Sequence, residues 1–145
     1  MMKKRFFFLI LSFLGVFFDL HAQIPNTRDS LVLYLKTPRQ DSNYVWALNR
    51  YAQKLINETA EYDKADSVLK IAEPLALKYG YPLGKYANTR NRATLNYYKT
   101  NYTAALRYFQ QAANEAERLG LSPQTIYEAY SNILTGTKII YHLLF

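Results

Sequence analysis

The chain has 145 residues, 50% of them hydrophobic and 20% charged, with a formal net charge of +7. That is room for one small domain. The absence of cysteine excludes disulfide frameworks, thiolate metal sites and thiol nucleophiles, and two histidines are too few for a multi-histidine metal centre.

Residues 1–22 read as a signal peptide. Lys3, Lys4 and Arg5 form a positive n-region, and Phe6 to Phe18 is an unbroken run of 13 apolar or small residues. A run of that length suits the apolar core of a signal peptide and is short for a membrane span of about 20 residues. Asp19 ends it, and Leu20-His21-Ala22 offers a cleavage site with a small residue before the cut. The expectation is export to the periplasm or cell envelope of a Gram-negative bacterium with cleavage after Ala22. The alternative is an uncleaved N-terminal anchor, the only route by which the membrane enters. Loss of Lys3, Lys4 and Arg5 against Asp19 lowers the net charge from +7 to +5, and all 14 tyrosines remain. Packing alone must hold an exported fold that has no disulfides.

Residues 23–40 are read as a short helix and a linker. Asp29-Ser30 is the expected cap, Leu31, Tyr34 and Leu35 form one face, and Thr37-Pro38 is the stop. Asp41-Ser42 opens a second helix with Tyr44, Leu48, Tyr51, Ala52 and Leu55 on one face, and residues 57–61 are a polar turn. A third helix is predicted over about 63–79, with the stripe Ala65, Leu69, Ala72 and Ala76, a kink at Pro74, and Gly80 at its C-terminus. A fourth is predicted over about 85–99. A fifth covers about 103–119, with Ala105, Phe109, Ala112 and Ala116 followed by Gly120. Ser122-Pro123 starts the last, which Thr135-Gly136-Thr137 is expected to interrupt.

A shift of 40 places Tyr62 on Tyr102, Ala65 on Ala105, Leu69 on Phe109, Ala72 on Ala112, Ala76 on Ala116 and Gly80 on Gly120. This is the signature of a helical hairpin used twice, with alanines for close approach and one large residue to fill the gap. The series Tyr102, Ala105, Phe109, Ala112 and its echo Tyr62, Ala65, Leu69, Ala72 resemble the tetratricopeptide repeat (TPR). The longer period is similar to the extracytoplasmic repeat regions of Bacteroidetes-type regulatory proteins. A generic helical hairpin protein or a short coiled coil is the other reading of such stripes. Arg92, Asn96, Thr100 and Leu134 depart from the repeat pattern.

The resemblance implies an all-α fold: a right-handed α-solenoid of antiparallel helical hairpins. Residues 41–145 would form about two and a half TPR-like repeats, incomplete at the C-terminus. It also implies a concave groove lined by Asn49 and Gln53 from the first repeat and by Arg90, Asn91, Thr94 and Tyr97 from the second. Asn91 stands where members that bind peptide carboxylates carry asparagine, without the accompanying lysines. Solvated groove residues with no ligand are the plain alternative for these six.

Catalytic residues are not expected. His142 alone remains after cleavage. Glu58, Glu61, Asp63 and Asp66 could serve as an acid–base pair, but they read more simply as a solvated turn beside a helix N-terminus. Glu115 and Glu117 are placed on the outer side of their helix. Lys85, Arg90, Arg92 and Lys99, interleaved with Tyr86, Tyr97 and Tyr98, could hold a nucleic-acid strand, which export argues against. Asn57 and Asn101 begin chance matches to the glycosylation pattern.

The expected function is that of an exported, non-enzymatic scaffold that binds a protein or an extended peptide, without cofactor or metal and without nucleic acid. The apolar end, residues 123–145, is expected to support self-association. The alternative is the sensor region of a membrane-bound histidine kinase or transcription regulator.

Overall fold

The computed structural model describes residues 25–144. The segment expected to be a signal peptide, residues 1–22, lies outside them. Among the described residues there are six helices and no strand. They are α1 (Arg28–Leu35), α2 (Ser42–Asn57), α3 (Tyr62–Lys78), α4 (Pro82–Tyr98), α5 (Tyr102–Arg118) and α6 (Pro123–Leu144). No described helix is long and apolar enough to cross a membrane.

Local chemistry sets the starts. The cap of α1 is Thr27, not Asp29-Ser30: its side chain accepts from the Ser30 N–H while Ser30 reaches back to the Thr27 N–H. This reciprocal pair satisfies two donors that the first turn leaves open. Asp41 caps α2, its Oδ1 accepting from the Tyr44 N–H at 2.7 Å. Pro82 occupies the first turn of α4, so that helix starts three residues before the expected Lys85. α3 is continuous through Pro74, whose side chain is exposed.

The stops recur at a fixed interval. Ala60, Gly80, Thr100 and Gly120 have φ of +53°, +55°, +61° and +60°, one left-handed residue between each pair of consecutive helices from α2 to α6. At Gly80 the N–H donates to Leu77 O, and the next N–H, of Tyr81, reaches Ala76 O. Gly120 and Leu121 repeat this toward Glu117 O and Ala116 O. Such bonds satisfy carbonyls that the last helical turn leaves open.

Each helix packs on its neighbours in the chain, and α2 also packs on α4. Ala65, Leu69, Ala72 and Ala76 of α3 are buried, as are Ala105, Phe109, Ala112 and Ala116 of α5. Among the described residues, the buried apolar side chains fall into four clusters. Leu31, Ala47, Tyr51, Ala52, Leu55, Ala65, Leu69 and Leu95 form one, and Tyr44, Leu48 and Ala72 a second, with Tyr34, Leu35 and Val68 against both. Tyr86, Ala112 and Ala116 form a third, with Ile126 of α6 against it, and Ala93, Ala105 and Phe109 a fourth, with Ile133 of α6 against it. Tyr62 and Tyr102, the first residues of α3 and α5, both reach the end of α4. Tyr62 stacks on Tyr98 at 6.2 Å and Tyr102 meets Tyr97 edge-on at 5.8 Å.

Two further corrections follow from packing. α6 runs unbroken through 135–137. Thr135 and Thr137 return their hydroxyls to Ser131 O and Ile133 O at 3.0 and 2.9 Å, and Gly136 is buried facing Leu106. Glu115 is not on the outer side: it is 7% exposed and paired with Lys85 at 3.1 Å, with Oε2 buried and without a partner among the described residues. Glu117 is exposed and accepts the Tyr130 hydroxyl at 2.9 Å.

Candidate functional site

α2 and α4 cross closely because Gly84 has no side chain. A Cβ there would lie 2.8 Å from Val45 Cγ1 and 2.5 Å from Tyr81 Cδ1, nearer than carbon atoms approach. The two helices are then tied by asparagines. Asn49 Nδ2 donates to Val45 O and to Gly84 O at 3.1 and 3.2 Å. Asn91 Nδ2 donates to Asn49 O at 2.8 Å. Asn88 ties α4 to α3 through Leu69 O at 2.9 Å, and its Oδ1 accepts from Arg92. These bonds lie along the seam where α4 meets α2 and α3, and each asparagine is buried, so its hydrogen bonds stand in for those that water would make.

Above this seam lies a groove of about 150 Å³, lined by Trp46, Asn49, Arg50, Gln53, Ala87, Arg90 and Asn91. Asn49 and Asn91 form its floor and are 2% and 3% exposed. Asn49 spends both amide N–H groups on backbone carbonyls and Asn91 donates to one, while Asn49 Oδ1 is buried without a partner among the described residues. Gln53 and Arg90 stand on the rim, half-buried. Arg50 joins them, its Nε donating to Asn26 Oδ1 at 2.9 Å.

The six residues expected in one groove therefore divide between two. Thr94 and Tyr97 line a second groove, of about 230 Å³, with Tyr98, Phe109, Asn132 and Thr135, where α6 passes α4. Trp46 and Arg50 belong to the first groove and were not expected there. Their signal was available in the sequence: Trp46, Asn49, Arg50 and Gln53 have the spacing of one helical face.

The other candidate clusters are held by ion pairs. Glu58 meets Lys54 at 2.7 Å, Asp63 meets Lys99 at 3.1 Å, and Asp66 meets Lys70 at 2.7 Å and Arg92 at 3.5 Å. Glu61 joins Arg28 of α1 and Lys64. A hydrogen bond from Thr59, with Arg28 and Lys64 beside it, holds the Glu61 carboxyl below its usual value. Of the basic row along α4 and at its C-cap, Lys85, Arg92 and Lys99 all have carboxylate partners. Asn101 caps α5, its Oδ1 accepting from Ala104. His142 is exposed on α6 and edge-on to Tyr141. No group of three or more His, Asp or Glu side chains among the described residues is arranged to hold a metal ion.

What the first groove offers is an indole wall, two guanidinium groups and an amide above a hydrogen-bonded floor. No carboxylate, histidine or hydroxyl lines it, so it presents hydrogen-bond donors and apolar surface rather than a nucleophile and base. No protein-family model matches the chain, and no curated protein or solved structure shows significant similarity to it.

Proposed function

We propose that the chain is an exported, non-catalytic scaffold built on TPR-like repeats, whose α2–α4 groove receives a segment of a protein or an extended peptide. The groove itself carries this reading. Arg50, Gln53 and Arg90 are donors suited to peptide carbonyls or a carboxylate, and Trp46 supplies a flat apolar wall for a side chain. The repeat reading is supported by the spacing of the elements. α3 and α5 each have 17 residues, and both ends of α5 fall 40 residues after those of α3.

Trp46 is the only tryptophan in the chain, so its fluorescence reports on the groove directly. Selection of phage-displayed random peptides on the full chain should enrich sequences that, as free peptides, change Trp46 emission. Replacing Arg90 and Gln53 together by alanine should weaken those peptides by at least about tenfold, the value of one lost charge-assisted hydrogen bond. Enriched peptides that bind the double variant equally well would remove the groove from the argument. Export has its own test. Expressed in a Gram-negative host, the periplasmic protein should begin at Gln23, and recovery of intact chain only from the membrane fraction would reject cleavage.

A further inference from the structure

α6 packs on α5 through Ile126, Ala129 and Ile133, and Gly136 lies against Leu106. About a third of a turn away runs a second stripe: Tyr127, Tyr130, Leu134, Lys138 and Tyr141. All five are exposed, Leu134 at 72%. α4 shows what this face is used for. Aligning Pro123 of α6 on Pro82 of α4, a shift of 41, places Tyr127, Leu134 and Lys138 on Tyr86, Ala93 and Tyr97. Those three residues of α4 pack against α5. On α6, no described element covers the equivalent face.

We propose that this stripe is a dimerisation surface on which the α6 of a second copy lies antiparallel, with the two-fold axis at Leu134. Three observations select a second copy over an unrelated helix. The stripe is symmetric about Leu134: tyrosines stand seven residues before and after it, and Tyr130 and Lys138 four before and after. An isologous interface requires that the same face serve both partners, which a stripe symmetric about one residue does. Under the axis Leu134 meets the partner's Leu134, Tyr127 meets the partner's Tyr141, and Tyr130 meets the partner's Lys138.

The charges are complementary in the same register. The Tyr130 hydroxyl is held by Glu117 Oε1 at 2.9 Å, so a carboxylate stands beside the ring that the partner's Lys138 would approach. Lys138 has no ion pair among the described residues, and Glu117 has only the Tyr130 hydroxyl. The antiparallel arrangement gives each Lys138 an aromatic face and a carboxylate. A parallel one would set Lys138 beside Lys138. Leu134 occupies the slot that alanine fills in α2 and α4, at Ala52 and Ala93, both 0% exposed. A leucine there holds a covering helix farther off, as a knob meeting its own copy on the axis. From Tyr127 to Tyr141 the stripe spans about 21 Å of helix. This is short for a standard-size interface, so the dimer should be weak and dependent on concentration.

The chain has no cysteine, so each engineered cysteine is a single thiol. In the full chain, Leu134→Cys should oxidise to a covalent dimer because the axis brings the two positions within disulfide reach. Tyr127→Cys alone should remain monomeric, its copies lying about 21 Å apart. Mixed with Tyr141→Cys it should give a heterodimer. Leu77→Cys, on an exposed face of α3, is the control for random collision and for association through other segments. In the Leu134→Cys background, Lys138→Glu should reduce cross-linking several-fold, and adding Glu117→Lys should restore it. The proposal is overturned if Leu134→Cys cross-links no faster than Leu77→Cys, if Tyr127→Cys cross-links with itself as readily, or if the double charge exchange fails to restore the dimer.

Discussion

Four residues, Ala60, Gly80, Thr100 and Gly120, turn the chain at intervals of 20 and test how far a single φ value sets stability. A side chain in the left-handed region costs about 1–2 kcal/mol, and a β-branched one is the least suited to it. Thr100→Gly should therefore stabilise the protein by about 0.5–1 kcal/mol, less than the full penalty because glycine also loosens the unfolded chain. Urea unfolding would measure it. A Cβ at Gly80 would meet nothing within 4 Å, so Gly80→Ala isolates the backbone term and should cost about 1 kcal/mol. The glycines were legible in the sequence because they follow the alanine stripes directly. Thr100 was legible only as a departure from a pattern, since threonine advertises no left-handed turn. Asn49 and Asn91 show the opposite limit. Their register on α2 and α4 was readable, but a buried amide bonded to a backbone and a solvated one look alike until the neighbouring helix is in place.

Between elements, close approach and charge decide how helices meet. Gly84→Ala would push carbon against Val45 and Tyr81 and should cost about 1–3 kcal/mol by overpacking. It should also alter Trp46 emission, because it separates the walls of the groove. Comparing unfolding midpoints with fluorescence in the native state distinguishes the two effects. α1 is tied to the α2–α3 turn through Arg28 and Glu61. Because the folded carboxyl lies below its usual value of 4.5, the bond contributes above that pH and is lost as pH falls through the lowered value. Exposure to solvent keeps the effect small. Amide exchange of α1 should accelerate below pH 4.5, after correction for intrinsic rates, while that of α3 and α4 is unchanged. Equal acceleration in all three would mean that acid acts on the whole fold. The existence and extent of α3 and α5 were readable to within a residue or so from their stripes. The start of α4 is not legible in the sequence because Pro82, which suits a first helical turn, also reads as a loop residue beside Gly80 and Gly84.

Across the whole molecule, every helix depends on its near neighbours in the chain. A structure of this kind opens from its ends, where an element is covered on one side only. Native-state hydrogen exchange should find the greatest protection in α3 and α4 and the least in α1 and the second half of α6. Uniform protection would indicate a single cooperative unit instead. Composition, the 40-residue echo and the alanine stripes determined by themselves that the described chain is helical, because helix periodicity and capping are local properties that each segment carries alone. Glu115, expected outside and found buried against Lys85, was decided by the approach of α4. So was the division of the six groove residues between two sites. Both depend on which helices meet in the folded chain, through contacts between distant residues such as Asn91 with Asn49 and Lys85 with Glu115, which no single helix encodes.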